Sequence, residues 1–363
     1  MSAIFLVSGL DAGVRFWVNL GYRAYYWVWP AQELASDSVP LVMLTGLFGF
    51  SPNKCFGFRY FEFDPGKMNR PVFIPDLPPT GSNLVRAKVV LAYLKGGNVD
   101  VDGVEYEYPG VYKDWGVDMP VDMIGHSQGA LCGDALIQMA EPGAVRNYVR
   151  LTGISRDMKV VLAANKILDG VDEAQFLGLA RSLGWPACFV YAAWMMGVIN
   201  RFIPATKIIV DMHLPPNSTP LSVARGISVG LDYPTSMDEL KARKVRTLNV
   251  VASTGDLSWS ERLLMSHPMF WTFIAIESTI LKRVDVSFHD GLVDVEEQKY
   301  DGAIQASTVR TAALISEPGS VVELLVASNH LAVLPGVSRR FVKGFRGLTE
   351  VALVWLNILG HTK

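Results

Sequence analysis

The chain has 363 residues and only three cysteines, Cys55, Cys132 and Cys188. An odd count with no Cys-x-x-Cys pair excludes a disulfide framework and a structural zinc held by thiolates. One disulfide remains open, and buried free thiols are the simpler expectation. Charge is scarce as well: 19% of residues are Asp, Glu, Lys or Arg, and the net charge is −2. Without a basic face to displace counterions, nucleic acid is not expected as a partner. Internal repeats and low-complexity tracts are also missing. The apolar run AIFLVSGL (3–10) has no Lys or Arg before it and meets Asp11 at once, so it is expected to make a poor secretory leader. Long apolar runs are few. Residues 182–200 carry no charge between Arg181 and Arg201, yet at 19 residues including Pro186 they barely reach spanning length. MFWTFIAI (269–276) is far too short. Neither is expected to cross a bilayer.

What the chain has in quantity is apolar residues, 50% of the total, with a mean hydropathy of +0.24. That is enough for a large core in one domain carrying an insertion, or in two modest domains. The apolar residues come in short runs separated by helical stretches. PLVMLTG (40–46), RPVFIPDLPP (70–79), PVDMIGH (120–126), YVRLTGI (148–154) and VRTLNVVAS (245–253) read as strands buried on both faces. NLVRAKVVLAYLKGG (83–97) reads as a helix stopped by two glycines, and SQGALCGDALIQMA (127–140) as a second helix. Strands alternating with helices predict a mainly parallel sheet covered on both faces. From about 155 to 240 the alternation gives way to an apolar, helical section, which is expected to be a lid or cap inserted after a strand.

Gly125-His126-Ser127-Gln128-Gly129 places a G-x-S-x-G pentapeptide between an apolar strand and a helix. The glycines suit a sharp strand-to-helix turn that lifts a serine hydroxyl above the sheet. A serine needs a base, and that base needs a carboxylate to orient it, in the chain order Ser, acid, His. Of six histidines, His330 follows the apolar run SVVELLVAS (320–328), where a base on a loop after the last strand belongs. His361 lies too near the end. Two carboxylates compete as the acid: Asp256, just beyond VRTLNVVAS, and Asp290, in His289-Asp290-Gly291-Leu292-Val293. Spacing does not separate them. For a developing oxyanion, the N–H of Gln128 and that of Leu47, in Thr45-Gly46-Leu47-Phe48-Gly49-Phe50, are the expected donors.

Taken together these pieces resemble the true bacterial lipases of the staphylococcal, bacillus and pseudomonad groups, which have the α/β-hydrolase fold. The loop at 45–50 is similar to their His-Gly loop with threonine in place of histidine. PDLPPTGSNLVRAKVVLAYLKGG (75–97) is similar to their Ser-rich loop and following helix, GHSQG (125–129) to their elbow, HDGLV (289–293) to their Asn-Asp-Gly-Leu-Val signature, and NHLAVLPGV (329–337) to their Asx-His-Leu signature. The resemblance runs from about 40 to 340 and implies Asp290 as the acid, with Asp256 as the alternative.

It also implies a core formed by 40–154 and 241–363, the lid at 155–240, and an aromatic-rich extension at 1–39. The expected activity is hydrolysis of carboxylic esters with hydrophobic acyl chains, through an acyl-enzyme on Ser127. Phe48, Trp194 and Met195 are expected to meet the substrate. Other readings of the same machinery are a polyester depolymerase, an acyltransferase, or a lipid-binding relative that has lost its chemistry. The family's calcium carboxylate after the histidine is missing from Leu331-Ala332-Val333, and its zinc-binding histidine is missing from VDVDGVEYEYPGVYKDW (99–115). No metal and no cofactor is therefore expected. FWVNLGYRAYYWVWP (16–30) suits a lipid interface, and the resemblance points to a secreted or membrane-associated protein.

Overall fold

The computed structural model describes residues 39–47, 49, 51, 60, 61, 68, 70–101, 103–155, 166, 168–183, 185–203, 206, 207, 212, 214, 217–231, 237–253, 290, 293–328, 330 and 347–361. Its centre is a seven-stranded sheet. In chain order the strands are β1 (Leu41–Leu44), β2 (Val72–Phe73), β5 (Val121–His126), β6 (Val145–Leu151), β7 (Arg246–Ser253), β8 (Ile304–Ala306) and β9 (Val321–Ala327). They lie side by side as β2-β1-β5-β6-β7-β9-β8, and every pairing in that order is parallel. A separate antiparallel hairpin joins β3 (Gly97–Val101) to β4 (Val104–Tyr108).

Side chains alternate across the pleat, so one strand feeds two cores. Leu41 and Met43 of β1 join Ile124, Val149, Leu248 and Val250 beneath helices α8 (Val309–Ile315) and α9 (Leu348–His361). Trp355 and Leu356 of α9 fill that layer. Val42 and Leu44 face the other way, with Val121, Met123 and Tyr148, onto helices α1 (Asn83–Lys95) and α2 (Gln128–Met139). Both layers are fully dry at the central strands, as continuous apolar runs require. A buried ion pair, Arg150 Nη2 to Asp134 Oδ2 at 2.9 Å, ties β6 to α2, and Arg150 also reaches Ser155 and Asn249.

The run at 70–79 forms only the two-residue strand β2, because Pro71, Pro75, Pro78 and Pro79 remove ladder donors on either side of it. β6 starts three residues before the expected strand and stops at Leu151, where Thr152 turns to φ 50°. Between β6 and β7 the described residues hold helices α3 (Glu173–Leu183), α4 (Trp185–Phe202), α5 (Pro220–Leu231) and α6 (Met237–Ala242) and no strand. α4 takes up the uncharged run from Trp185 onward, with Pro186 in its first turn, where a missing N–H costs nothing. Among the described residues no helix is long and apolar enough to cross a membrane. Short α7 (Val295–Gln298) precedes β8. The aromatic-rich segment at 16–30 lies outside the described residues.

Candidate active site

The chain leaves β1 outward to β2 and returns through β5 on the other side of β1, so the strand order reverses there. Crevices above the carboxyl ends of strands at such a point are the usual ligand sites of open α/β sheets. Ser127 follows β5 directly, at φ 55° and ψ −124°. A non-glycine residue in that region is strained, and only surrounding structure that fixes the turn can hold it there. The two glycines of the pentapeptide make the turn possible. A Cβ on Gly125 would stand 2.6 Å from Gly129 O, and one on Gly129 would stand 2.2 Å from Leu44 O. Ser127 N–H donates to Leu151 O at 2.9 Å, locking the turn to β6.

His330 stands beyond the end of β9. Its Nε2 lies 2.8 Å from Ser127 Oγ, and its Nδ1 lies 2.7 Å from Asp290 Oδ2. A carboxylate only accepts, so Nδ1 carries the proton and Nε2 is left to accept from the serine hydroxyl. The three side chains are 203 and 40 residues apart in sequence along these two bonds, yet all are nearly sealed from solvent.

Asp290 is held by its own turn. Val293 N–H donates to Oδ1 at 2.8 Å, and Asp290 N–H donates to Val293 O at 3.1 Å. His330 N–H donates to Asp290 O at 2.8 Å. Gln298 docks this turn on the end of β7: its amide donates to Val293 O and Ala252 O, and it accepts from Ala252 N–H at 3.0 Å. Asp290 thus arrives far along the chain from β7 but is fastened to that strand's carboxyl end. Asp256, the alternative acid, lies outside the described residues.

Gly46 brings the β1 loop against the serine. A Cβ there would meet Ser127 Cβ at 3.0 Å, His126 O at 3.1 Å and Tyr60 Oη at 2.8 Å, so the approach requires glycine. A turn closes with Gly49 N–H donating to Gly46 O at 3.0 Å. Among the described residues the Leu47 N–H has no hydrogen-bond partner. Gln128 opens α2, where backbone N–H groups point out of the helix end and its dipole favours negative charge. Gln128 thus adjoins the serine in the chain, and Leu47 follows the glycine that packs against it. Phe48 lies outside the described residues. Trp194 is half-buried in the helical section, its indole donating to Ser218 O at 2.8 Å beside Met212 and Val223, while Met195 is exposed.

Three side chains that the sequence reading passed over complete the surroundings. His126, next to the serine, is buried. Its Nε2–H donates to His330 O at 2.7 Å, so its Nδ1 accepts from the Tyr60 hydroxyl, also at 2.7 Å. That hydroxyl accepts in turn from Gly46 N–H at 3.0 Å. Burial, then the neighbouring His330, holds the His126 imidazole well below the usual histidine range, and burial pushes the Tyr60 phenol up. His126 is thus a neutral strut between the loops of Gly46 and His330. Arg86 of α1, fully buried, bonds the carbonyls of Thr45, Gly46 and Pro78 and the Gln128 side chain. A histidine inside the pentapeptide and an arginine in a largely apolar helix, among the positions that face the core, were visible signals.

No cluster of three or more metal-ligating side chains occurs among the described residues. The arrangement has what acyl transfer needs: a hydroxyl bonded to an imidazole, a carboxylate behind it, and backbone donors alongside.

No protein-family model matches the chain. Among solved structures it is similar to EstA of Clostridium botulinum (TM-score 0.57, 14% identity, covering 91% of this chain and 89% of that one). It is also similar to the Staphylococcus hyicus lipase (TM-score 0.55, 15% identity, 90% and 96%) and to lipase 1 of Pelosinus fermentans (TM-score 0.52, 14% identity, 89% and 98%). The likeness spans nearly the whole of each chain and is one of architecture: this protein has the α/β-hydrolase fold.

Proposed function

We propose that the protein is a serine ester hydrolase that cleaves carboxylic esters of hydrophobic acyl chains through an acyl-enzyme on Ser127. The observation that carries this reading is the hydrogen-bonded series from Ser127 Oγ through the His330 ring to Asp290 Oδ2. The solved structures it is similar to include proteins named lipases, which agrees with the reading.

In the proposed reaction Ser127 Oγ attacks the ester carbonyl carbon while His330 Nε2 takes the hydroxyl proton. The imidazolium is stabilised by Asp290, which keeps its own charge. The tetrahedral oxyanion accepts from the Leu47 and Gln128 N–H groups. As the carbon–oxygen bond to the alcohol breaks, His330 gives its proton to the leaving oxygen. Water then enters, loses a proton to His330, attacks the acyl carbon, and the carboxylic acid departs from a regenerated Ser127. No step needs a metal.

In this reading the helical section at 155–240 serves as a lid, and Phe48, Trp194 and Met195 are the side chains proposed to meet the substrate. Exposed apolar side chains at Leu177, Met195, Phe202 and Ile203 suit contact with a lipid or other greasy ester. Hydrolysis of p-nitrophenyl esters graded from short to long chains tests it. Wild-type protein should turn over the series with a preference for medium or long chains, and Ser127→Ala should be silent on all of them. Wild-type turnover confined to acetyl transfer onto alcohols would favour the acyltransferase reading, and no turnover at all would favour a non-catalytic lipid-binding protein.

A further inference from the structure

Arg86 is a charge in an unusual position. Its side chain is completely buried on α1, and among the described residues none of its bonded partners is a carboxylate. Nη1 donates to Pro78 O at 3.1 Å and Gln128 Oε1 at 3.0 Å, and Nη2 donates to Thr45 O and to Gly46 O at 3.2 Å. The acidic groups that sense it are the Tyr60 phenol and the Cys132 thiol of α2. Both are neutral at ordinary pH, since burial raises the phenol and pushes the thiol up to about 12. The guanidinium stays protonated because arginine does so even when burial lowers its pKa. A buried cation with no counter-ion is costly to the fold. Elsewhere in this protein the expense is avoided: buried Arg150 pairs with Asp134, and Arg70 pairs with Asp122.

The partners of Arg86 explain the exception. Gly46 C=O and Leu47 N–H belong to one peptide unit. A positive group bonded to the carbonyl end of a peptide withdraws electrons from it and makes its N–H a stronger donor. The same guanidinium grips the Gln128 amide, which is anchored on its other side by donating to Gly81 O at 2.9 Å. Gln128 is the residue whose backbone N–H begins α2 beside the serine. One side chain therefore bonds the carbonyl end of the Gly46–Leu47 peptide and the side chain of Gln128, without reaching the reacting atoms itself.

On the reading of Ser127 as nucleophile, we infer that Arg86 is a positioning residue for the oxyanion hole, with its uncompensated charge polarising the Gly46–Leu47 peptide and its fork fixing Gln128. Its effect belongs to the tetrahedral state, in which negative charge appears on the substrate oxygen, and not to ester binding. Losing one such donor outright in other hydrolases lowers kcat by about 10²–10³. Weakening and loosening donors that remain in place should lower it by about 10–100-fold.

The test uses Arg86→Met and Arg86→Lys in the full chain, with kcat and KM for a short p-nitrophenyl ester followed across pH, and circular dichroism to confirm folding. The methionine variant should lose kcat with KM within about twofold of wild type. Lysine should recover much of that loss at low pH. Buried beside neutral groups, its ammonium has a depressed pKa, so kcat should fall again at a pH where wild type is flat, as the charge is lost. A merely structural role would leave no such added limb. Should the methionine variant fail to fold, the lysine profile alone decides. The inference is overturned if folded Arg86→Lys keeps the wild-type pH profile at the activity of Arg86→Met, or if both variants keep wild-type kcat. Wild type inert towards esters would instead overturn the reading of Ser127 on which the inference rests.

Discussion

Replacing Asp290 by asparagine changes charge and almost nothing else. The side chain is fully buried, its Oδ1 accepts from Val293 N–H at 2.8 Å, and its Oδ2 faces His330 Nδ1 at 2.7 Å. An asparagine oxygen can keep one of these bonds. What it cannot do is stabilise the imidazolium that forms when His330 takes the serine proton. At a charge separation of about 3–4 Å and an effective dielectric near 20, that attraction is worth about 4–6 kcal/mol. At about 1.4 kcal/mol per decade, kcat should fall by roughly 10³–10⁴. The amide can also turn its NH₂ towards Nδ1, which forces the proton onto Nε2 and removes the acceptor for Ser127. KM should hardly move, because Asp290 touches no substrate in the proposed reaction. Initial rates on a p-nitrophenyl ester, with thermal unfolding as the control for folding, measure the effect. Asp290→Asn retaining activity within about tenfold of wild type, together with an inactive Asp256→Ala, would refute the assignment of the acid.

Three further outcomes follow from the same geometry. Gly46→Ala should reduce kcat by about 10²–10³, since its Cβ would press on Ser127 Cβ at 3.0 Å and displace the loop of Leu47; unchanged kcat in the purified variant would contradict that packing. Ser127→Gly should abolish turnover yet raise stability by about 1 kcal/mol, because glycine occupies φ 55° without strain; an unchanged or lower urea midpoint would count against a strained turn. His126, held below the ordinary histidine pKa in the folded protein, binds a proton more readily when unfolded. Its contribution to stability is therefore complete above about pH 6.5 and is lost as pH falls through lower values, by at most about 1.4 kcal/mol per pH unit. Urea midpoints measured between about pH 7 and pH 5 should fall less steeply in His126→Gln than in wild type, and equal slopes would show that His126 does not titrate on unfolding.

The sheet was largely readable from residues because its strands are buried on both faces. Continuous apolar runs at 40–46, 120–126, 148–154 and 245–253 became β1, β5, β6 and β7 with small shifts at their ends. The G-x-S-x-G turn singled out Ser127 and the loop after the last apolar run singled out His330, whereas Asp290 stood out from Asp256 only through the family resemblance; the structure places Ser127, His330 and Asp290 in one hydrogen-bonded series. The β3–β4 hairpin was missed, although Asp102-Gly103 is a strong turn signal and Val99 and Val101 alternate with polar residues. β8 was missed because Ile304-Gln305-Ala306 is mostly exposed and too short for its alternation to stand out. Arg86 and His126 stood out by type alone, but their roles, like that of Tyr60, rest mainly on partners 40 to 204 residues away, and no local pattern encodes a bond of that range. The uncharged run at 182–200 shows how composition misleads in the other direction. It has the hydropathy of a short span, but α4 packs Ala193 against Met212 and Val223 within the helical section.

Labelling with a fluorophosphonate probe, read by intact mass and by peptide mapping, tests the account most directly. Wild-type protein should gain one adduct, on the peptide carrying Ser127, at a rate that falls sharply when His330 is replaced by alanine. A protein that takes no label, or takes it on another serine while Ser127→Ala reacts at the wild-type rate, would contradict the assignment of Ser127 as the nucleophile.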